Sequence, residues 1–184
     1  HQAPHYVKAG LKFFSAIGVR DSESLKISNI VHTAIEKKIV LDTTLIYDFN
    51  ETEFENKKKG YILVYAFTVT DEDRAQLEDF AHAYNLDIFS VTFNKSYSWA
   101  NKNFFNIDPL YFVSLVQHAN YVYTSTFHGL LFSIKYKKQV ALRNNPTIHT
   151  KCSWLIENLR LQNVVLSSDR NIAKIFSDSN LFDD

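Results

Sequence analysis

The chain reads NYVYT at residues 120–124 and STFHGLLFS at residues 125–133. The first run predicts a short strand, and the second predicts a helix that begins near Phe127 and runs to about Lys137. A sharp turn must therefore join the strand to the helix. Because a helix N-terminus presents free backbone N–H groups and a partial positive charge, this turn is a candidate site for a phosphate or carboxylate.

The side chains of this turn are compatible with such a site. Thr124, Ser125 and Thr126 supply hydroxyl groups that can hydrogen-bond an anion. Gly129 is one of only four glycines in the chain and allows close approach of backbone or ligand. His128 is expected at the carboxyl edge of the sheet, a suitable position for a proton donor or acceptor. A histidine at a helix start also serves as a cap or as an ordinary surface group, so spacing alone leaves its role open.

Apolar and amphipathic segments alternate on both sides of this turn. We predict strands over residues 61–67, 86–91, 120–124 and 139–143. We predict helices after Thr70, from Pro109, near Phe127, and over residues 150–161 and 170–178. Such alternation with short connections implies right-handed crossovers, and therefore an α/β fold with a Rossmann-like, mostly parallel sheet and helices on both faces. Ligands of these sheets bind at the carboxyl ends of the strands, where the turn is expected to lie.

Two of these helices carry clear boundary signals. Thr70 is expected to cap the first, which has three acidic residues in its first turn and Asn85 at its end. The buried stripe of this helix is predicted to be Leu77, Phe80, Ala81 and Tyr84. Asp108 and Pro109 mark the start of the second helix. Its inward-facing residues are predicted to be Leu110, Val113 and Val116.

Composition narrows the range of functions. The 184 residues, 46% of them hydrophobic, suffice for one domain with a real core. The chain has 20 basic and 20 acidic residues, and this balance does not favour binding to nucleic acid. A local cluster of cations must therefore hold any anionic ligand. The single cysteine, Cys152, cannot form an internal disulfide and favours a reducing compartment, the cytoplasm.

Other features concern membranes, metals and the extent of the chain. No apolar run reaches the roughly 18 residues of a membrane span, which leaves only peripheral association with the inner face of a membrane. Apart from His1 and His5 the histidines are scattered along the chain, and no metal site is predicted. The chain contains no methionine, and we expect it to be part of a longer protein. Residues 50–60, which include KKKG at 57–60, are predicted to be a solvated loop.

Residues 108–141 resemble the most recognisable stretch of the polysaccharide pyruvyl transferase family. That stretch contains a helix, an A-[DN]-x-V strand, T-S-x-F-H-G, an apolar helix with F-S, a basic turn and a strand. Three further segments resemble the family in the same order: AIGVRD at 16–21, VLDTTL at 40–45 and KCSWLIENLRL at 151–161. The resemblance therefore covers nearly the whole chain. One departure is Thr126, because many members have arginine two residues before the histidine.

The resemblance implies one half of a GT-B-type enzyme, in which two Rossmann-like domains face each other across a cleft. Residues 1–15 would be a connecting helix from an N-terminal domain, and residues 16–184 the C-terminal domain that binds the donor. The implied reaction transfers a pyruvyl group from phosphoenolpyruvate, a co-substrate, to a sugar of a cell-surface polysaccharide such as a capsule or exopolysaccharide. The products would be a pyruvate ketal and phosphate, with no further cofactor. The acceptor would be a glycan or a lipid-linked sugar.

The resemblance also implies functions for individual residues. His128 would be the catalytic acid–base group, and Arg20 and Lys151 would bind the anionic donor. Arg20 follows a predicted short strand, AIGV, and its alternative is a surface ion pair with Asp21 or Glu23. Lys151 is expected at a helix start, an unfavourable place for a cation unless an anion is nearby; a solvated lysine is its alternative. The rest of the proposed substrate-binding set is Ser125, Thr126, Phe127, Gly129 and, as a reserve cation, Arg143.

Two other functions remain open at this point. The turn at 124–129 would hold a diphosphate equally well, as in a sugar-nucleotide-dependent glycosyltransferase of GT-B type. No clear acidic residue for a ribose accompanies it. The other alternative is a non-catalytic domain that has kept the fold.

Overall fold

The computed structural model describes residues 5–11, 13–30, 35–49, 60–92 and 96–178. Its helices are α1 (His5–Leu11), α2 (Ser22–Asn29), α3 (Thr43–Ile46), α4 (Asp71–Ala83), α5 (Pro109–His118), α6 (Phe127–Lys135), α7 (Pro146–Asn158) and α8 (Ile172–Phe176). Its strands are β1 (Ala16–Val19), β2 (Glu36–Ile39), β3 (Tyr61–Tyr65), β4 (Asp87–Thr92), β5 (Lys102–Phe105), β6 (Tyr121–Thr124) and β7 (Gln139–Leu142). A short 3-10 turn spans Gln162–Val164.

The main sheet has five parallel strands in the order β5-β4-β3-β6-β7. The chain first moves outward from β3 to β5, and α5 then carries it back to β6 on the other side of β3. This order is that of a Rossmann-like, doubly wound sheet, whose ligand crevice lies where the strand order reverses. The reversal falls between β3 and β6, and Tyr65 pairs there with Thr124. The turn singled out in the sequence therefore begins at this crevice.

Helices cover both faces of the sheet, as the alternation of segments predicted. Successive residues of a strand point to opposite faces. The Tyr123 hydroxyl contacts Asp73 of α4, whereas the neighbouring Thr124 side chain lies against Gly129 of α6. The helices α4 and α6 therefore cover opposite faces. The central strand β3 is buried between them, and Ile62, Leu63 and Val64 are each fully buried.

The predicted strands and caps are confirmed, with boundaries shifted by one or two residues. The hydroxyl of Thr70 accepts a hydrogen bond from the Asp73 N–H at 3.1 Å. Asn85 has a positive φ of 52°, which ends α4. Asp108 accepts from the Leu110 N–H at 2.8 Å at the start of α5. The strands β2 and β5 were not predicted.

Two residues placed in buried stripes are exposed instead. Tyr84 is 56% exposed, because α4 ends at Ala83 and the Tyr84 ring stacks on the outer side of Phe80, with centroids 4.3 Å apart. Leu110 is 53% exposed, since it lies in the first turn of α5. The other members of the two stripes are buried, as predicted: Leu77, Phe80, Ala81, Val113 and Val116.

A second, two-stranded parallel sheet precedes the main one. Its strands β1 and β2 flank α2, which is capped by the buried Asp21 through a 2.7 Å hydrogen bond from the Ser24 N–H. The helix α2 packs against α7, and α3 packs against α6. These contacts bring the ends of β1 and β2 to the start of α6. The loop predicted over residues 50–60 lies outside the described residues, apart from Gly60.

In the described part of the chain, no helix is both long enough and apolar enough to cross a bilayer.

Candidate functional site

The hydroxyl groups of the turn after β6 bind the protein itself. Thr124 Oγ1 donates to the Tyr65 carbonyl at 2.7 Å and accepts from the Thr126 N–H at 3.0 Å. Ser125 Oγ accepts from the Phe67 N–H at 3.1 Å, which joins the two loops across the crevice. Thr126 Oγ1 caps α6 by accepting from the Gly129 N–H at 3.0 Å. All three hydroxyl residues are buried, so these side chains build the turn and do not reach out to a ligand.

Gly129 is explained by packing between α6 and β6. A Cβ atom at this position would lie 2.1 Å from Thr124 Oγ1 and 2.8 Å from Thr124 Cβ. The close approach expected from the glycine is therefore made by the Thr124 side chain. Gly129 contributes to the site through the position it gives to the first turn of α6.

Arg20 reaches this turn from the end of β1. Its guanidinium carbon lies 4.6 Å from the centroid of the Phe127 ring, a cation–π contact. One of its terminal nitrogens is 3.4 Å from Asp42 Oδ2, and its Nε is 4.0 Å from Asp21 Oδ2. The ion pair with Asp21 weighed from the sequence is thus present, but Asp42 is the nearer carboxylate. Phe127 is buried and supports the guanidinium instead of facing solvent.

Lys151 lies near the turn as well, although not at a helix start as predicted. The helix α7 begins at Pro146, because the Asn145 side chain caps it by accepting from the Ile148 N–H at 3.0 Å. Lys151 is therefore in the second turn of α7. It is close enough to His128 for its charge to lower the pKa of the imidazole.

His128 is exposed at the first turn of α6, and its pKa lies below the ordinary value. The largest cause of the lowered pKa is that the surrounding protein removes part of the imidazole's hydration. The negative charge of Asp42 raises the pKa of His128, whereas the positive charges of Arg20 and Lys151 lower it further. These effects together favour the neutral form of the imidazole in the free protein.

Asp42 is the residue of this cluster that sequence reasoning missed. It caps α3 by accepting from the Thr44 N–H at 2.9 Å, and its side chain is 11% exposed. Burial tends to raise the pKa of Asp42, but the Thr44 hydrogen bonds, His128 and Arg20 together hold it below its ordinary value. Its position in the family-like segment at 40–45 was the available signal. Nothing local to that segment connects it with Arg20 or His128.

Arg143, the reserve cation, belongs to a different cluster. Its Nε donates to Asp73 Oδ2 at 2.8 Å, and its terminal nitrogen binds the other oxygen of the same carboxylate. The Tyr123 hydroxyl also donates to Asp73 Oδ2, at 2.7 Å. Because Asp73 is fully buried, Arg143 is its counter-charge, and this geometry gives it no place beside His128.

Two further groups bear on the chemistry of the site. Cys152 is fully buried, and burial raises the pKa of its thiol to about 12 despite the opposing charges of Lys151 and Arg20. It is therefore a neutral thiol and not a nucleophile. Among the residues that the structure describes, no three His, Cys, Asp or Glu side chains come together in a way that would hold a metal ion.

Comparisons with known proteins show which family the chain resembles. A model of the polysaccharide pyruvyl transferase family matches residues 2–145. No curated protein is found to match the chain. One similar solved structure is that of the dodecameric iron-containing heptosyltransferase TibC in complex with ADP-D-β-D-heptose, with 12% identity and a TM-score of 0.42. That likeness covers 56% of this chain and only 32% of the heptosyltransferase, so no function is inferred from it.

The family match contains Arg20, Asp42 and His128, and Lys151 follows it six residues later. The match covers well over half of the chain and includes the whole turn after β6. The chain therefore belongs to the polysaccharide pyruvyl transferase family.

Proposed function

We propose that this domain binds phosphoenolpyruvate and takes part in the transfer of its pyruvyl group to a sugar of a polysaccharide. The observation that carries the proposal is the convergence of Arg20, His128 and Lys151. These residues come from three distant segments and meet at the start of α6, beside the crevice of the sheet. In a chain with no net charge, two cations gathered around one imidazole favour a small anionic ligand.

Each group meets a demand of the donor. Phosphoenolpyruvate carries a carboxylate and a phosphate, and Arg20 and Lys151 supply two positive charges for them. The N-terminus of α6 adds its partial positive charge. The same charges would stabilise phosphate as it leaves, because they are already in place before the reaction.

His128 is the proposed proton-transfer group. In forming a ketal, the methylene carbon of the donor gains one proton and becomes a methyl group. Two sugar hydroxyls bond to the adjacent carbon and lose one proton each, and the C–O bond to phosphate breaks. One of the two released protons balances the methyl group and the other leaves with the phosphate. A single imidazole can give the first proton and accept one from a hydroxyl.

The lowered pKa of His128 gives this proposal a measurable consequence. An imidazole that is neutral in the free protein must take up a proton before it can act as an acid. A bound anion beside it raises its pKa and favours that uptake. Donor binding should therefore be accompanied by proton uptake near pH 7.

The proposal is tested by measuring phosphate release from phosphoenolpyruvate by the full-length protein in the presence of a glycan acceptor. We expect His128→Gln to lower kcat by about 10²–10⁴-fold, the usual contribution of a general acid–base group. The matched control is His82→Gln, since His82 is an exposed histidine near the end of α4. Undiminished turnover in His128→Gln would remove His128 from the mechanism.

Thermal-shift titration separates this function from its main alternative. We expect phosphoenolpyruvate to raise the Tm of the wild type, and to raise it less in Arg20→Gln. A shift with nucleotide sugars and none with phosphoenolpyruvate would instead indicate a glycosyltransferase. No shift with either ligand would favour a non-catalytic domain.

A further inference from the structure

We propose that Asp42 is a positioning residue of this site, which holds the Arg20 guanidinium in place beside the His128 imidazole. The inference rests on the proposed function. It assigns a task to a carboxylate that touches none of the reacting atoms.

The Asp42 carboxylate is held on both of its oxygens. Oδ1 accepts from the Thr44 N–H at 2.9 Å, so the first turn of α3 fixes the orientation of the group. Oδ2 faces the Arg20 terminal nitrogen at 3.4 Å. A carboxylate with one oxygen committed to the backbone and 11% side-chain exposure has little freedom to follow a moving arginine. The fixed carboxylate therefore determines where the Arg20 guanidinium lies.

The remaining contacts of Arg20 do not fix its position in the same way. The Phe127 ring supports one face of the guanidinium, which permits sliding in the plane of the ring. Asp21 is farther away, at 4.0 Å, and its Oδ1 caps α2. Among the described residues, Asp42 thus makes the closest polar contact of the guanidinium.

Asp42 also lies near His128, because its partner Arg20 stacks on Phe127 and the Phe127 ring is 5.5 Å from the His128 ring. The charged groups that act on the imidazole come from three elements: Arg20 after β1, Asp42 before α3 and Lys151 on α7. Asp42 is the only negative one among these three. Partial burial and the two cations disfavour the imidazolium, whereas Asp42 favours it. Without Asp42, the imidazole would be harder to protonate.

The test variant is Asp42→Asn, which removes the charge and keeps an oxygen that can cap α3. The matched control is Asp108→Asn. Asp108 caps α5 through the same kind of contact with the Leu110 N–H, and it is not among the charges that act on His128. Both variants are compared with the wild type by thermal unfolding, which shows whether the cap is retained.

The first readout is the pKa of His128 in the free full-length protein, followed by NMR of its imidazole. The sequence contains seven histidines, and the resonance missing in His128→Gln identifies the right one. We expect Asp42→Asn to lower this pKa and Asp108→Asn to leave it unchanged. A pKa that stays at the wild-type value in Asp42→Asn overturns the inference, whether or not the protein proves to be a pyruvyl transferase.

A second variant, Arg20→Gln, should shift the pKa of His128 in the opposite direction. Removing the positive charge should raise the pKa of His128, because Arg20 disfavours the imidazolium and Asp42 is then released from its ion pair. This measurement decides the question if Asp42→Asn does not fold. An unchanged or lowered pKa in Arg20→Gln would contradict the arrangement.

Turnover gives the final readout. We expect Asp42→Asn to lower kcat for phosphate release by about tenfold or more, through misplacement of Arg20, with the loss greater at pH 8 than at pH 6. A uniform loss at all pH values would indicate a purely structural role and would count against the inference. No turnover by the wild type, together with the expected shifts in the pKa of His128, would contradict the proposed function and leave the charge arrangement standing.

Discussion

Gly129 illustrates how a single residue of the turn serves its geometry. It lies in the first turn of α6, directly against the Thr124 side chain, which is itself held by the Tyr65 carbonyl. The missing Cβ lets α6 approach β6 closely enough for Thr126 to cap the helix. His128 is presented to solvent from the same turn. The glycine thus acts on the site by controlling where the helix begins.

We expect Gly129→Ala to lower the free energy of unfolding by about 1–3 kcal/mol, the usual cost of overpacking. The added methyl group would lie 2.1 Å from Thr124 Oγ1 and force either the strand or the helix to shift. Urea denaturation measures the change. Gly10→Ala is the control, because nothing lies within 4 Å of a Cβ there. Its effect should be within about 1 kcal/mol, in the stabilising direction expected for alanine in a helix. Equal stability of Gly129→Ala and the wild type would refute this account.

At the scale of the element, α6 depends on its cap. Many members of the family carry arginine at the position of Thr126, whereas this chain has a buried threonine that binds the Gly129 N–H. The Thr126 hydroxyl also lies 3.0 Å from Thr124 Oγ1. In this chain the position is therefore occupied by a residue that binds the backbone of the helix. In the proposed site, the positive charges beside the turn are those of Arg20 and Lys151.

We expect Thr126→Ala to lower the free energy of unfolding by about 0.5–2 kcal/mol, as for other lost N-caps. Thr126→Ser keeps the oxygen that accepts from Gly129 and should retain most of the stability. Chemical denaturation of the two variants and the wild type measures the difference. If alanine and serine behave alike, the capping role of the hydroxyl is wrong.

At the scale of the whole molecule, buried polar contacts join the layers of the fold. Asp73 of α4 binds Tyr123 of β6 and Arg143 after β7, which ties one helix layer to two strands. Tyr61 of β3 donates to the Leu115 carbonyl of α5 at 2.6 Å on the other face. Removing one partner of such a group leaves a buried polar atom unsatisfied, which costs more than the bond itself contributes. These contacts therefore help to specify one arrangement of the layers.

The same contacts predict a loss of stability at alkaline pH. Burial, first of all, raises the pKa of Tyr61 and of Tyr123 above the value of about 10 found in unfolded chains. The contribution of each phenol to the free energy of unfolding is fully present below pH 10. It is lost as the pH rises from there toward the pKa of the folded state, because the tyrosine of the unfolded chain releases its proton first. We expect the urea midpoint to fall between about pH 10 and pH 11.5.

Tyrosine variants separate this effect from the titration of other groups. Tyr123→Phe should make the decline with pH shallower, since it removes one of the buried phenols whose pKa is raised. Tyr84→Phe should leave the decline as steep as in the wild type, because Tyr84 is 56% exposed. Equal slopes for the wild type and Tyr123→Phe would rule out Tyr123 as a cause.

Interactions between near neighbours could be foreseen from the order of residues. The parallel α/β architecture followed from alternating apolar and amphipathic segments, and the caps at Thr70 and Asp108 from residue types next to helix starts. Family resemblance pointed to Arg20, His128 and Lys151, and in the structure both cations lie close enough to His128 for their charges to act on it. These signals are local because helix capping and periodicity act over only a few positions.

The partners of the charged groups depended on folding. Arg143 and Asp73 are 70 residues apart, and Arg20 and Asp42 are 22 apart. The pairing of parallel strands and the packing of α2 and α3 on later helices bring each pair together. A charged side chain binds whichever opposite charge lies within a few ångströms in space, and distance along the chain does not reveal it. For this reason Asp42 emerged only with the fold, and the hydroxyls of the turn proved to face inward.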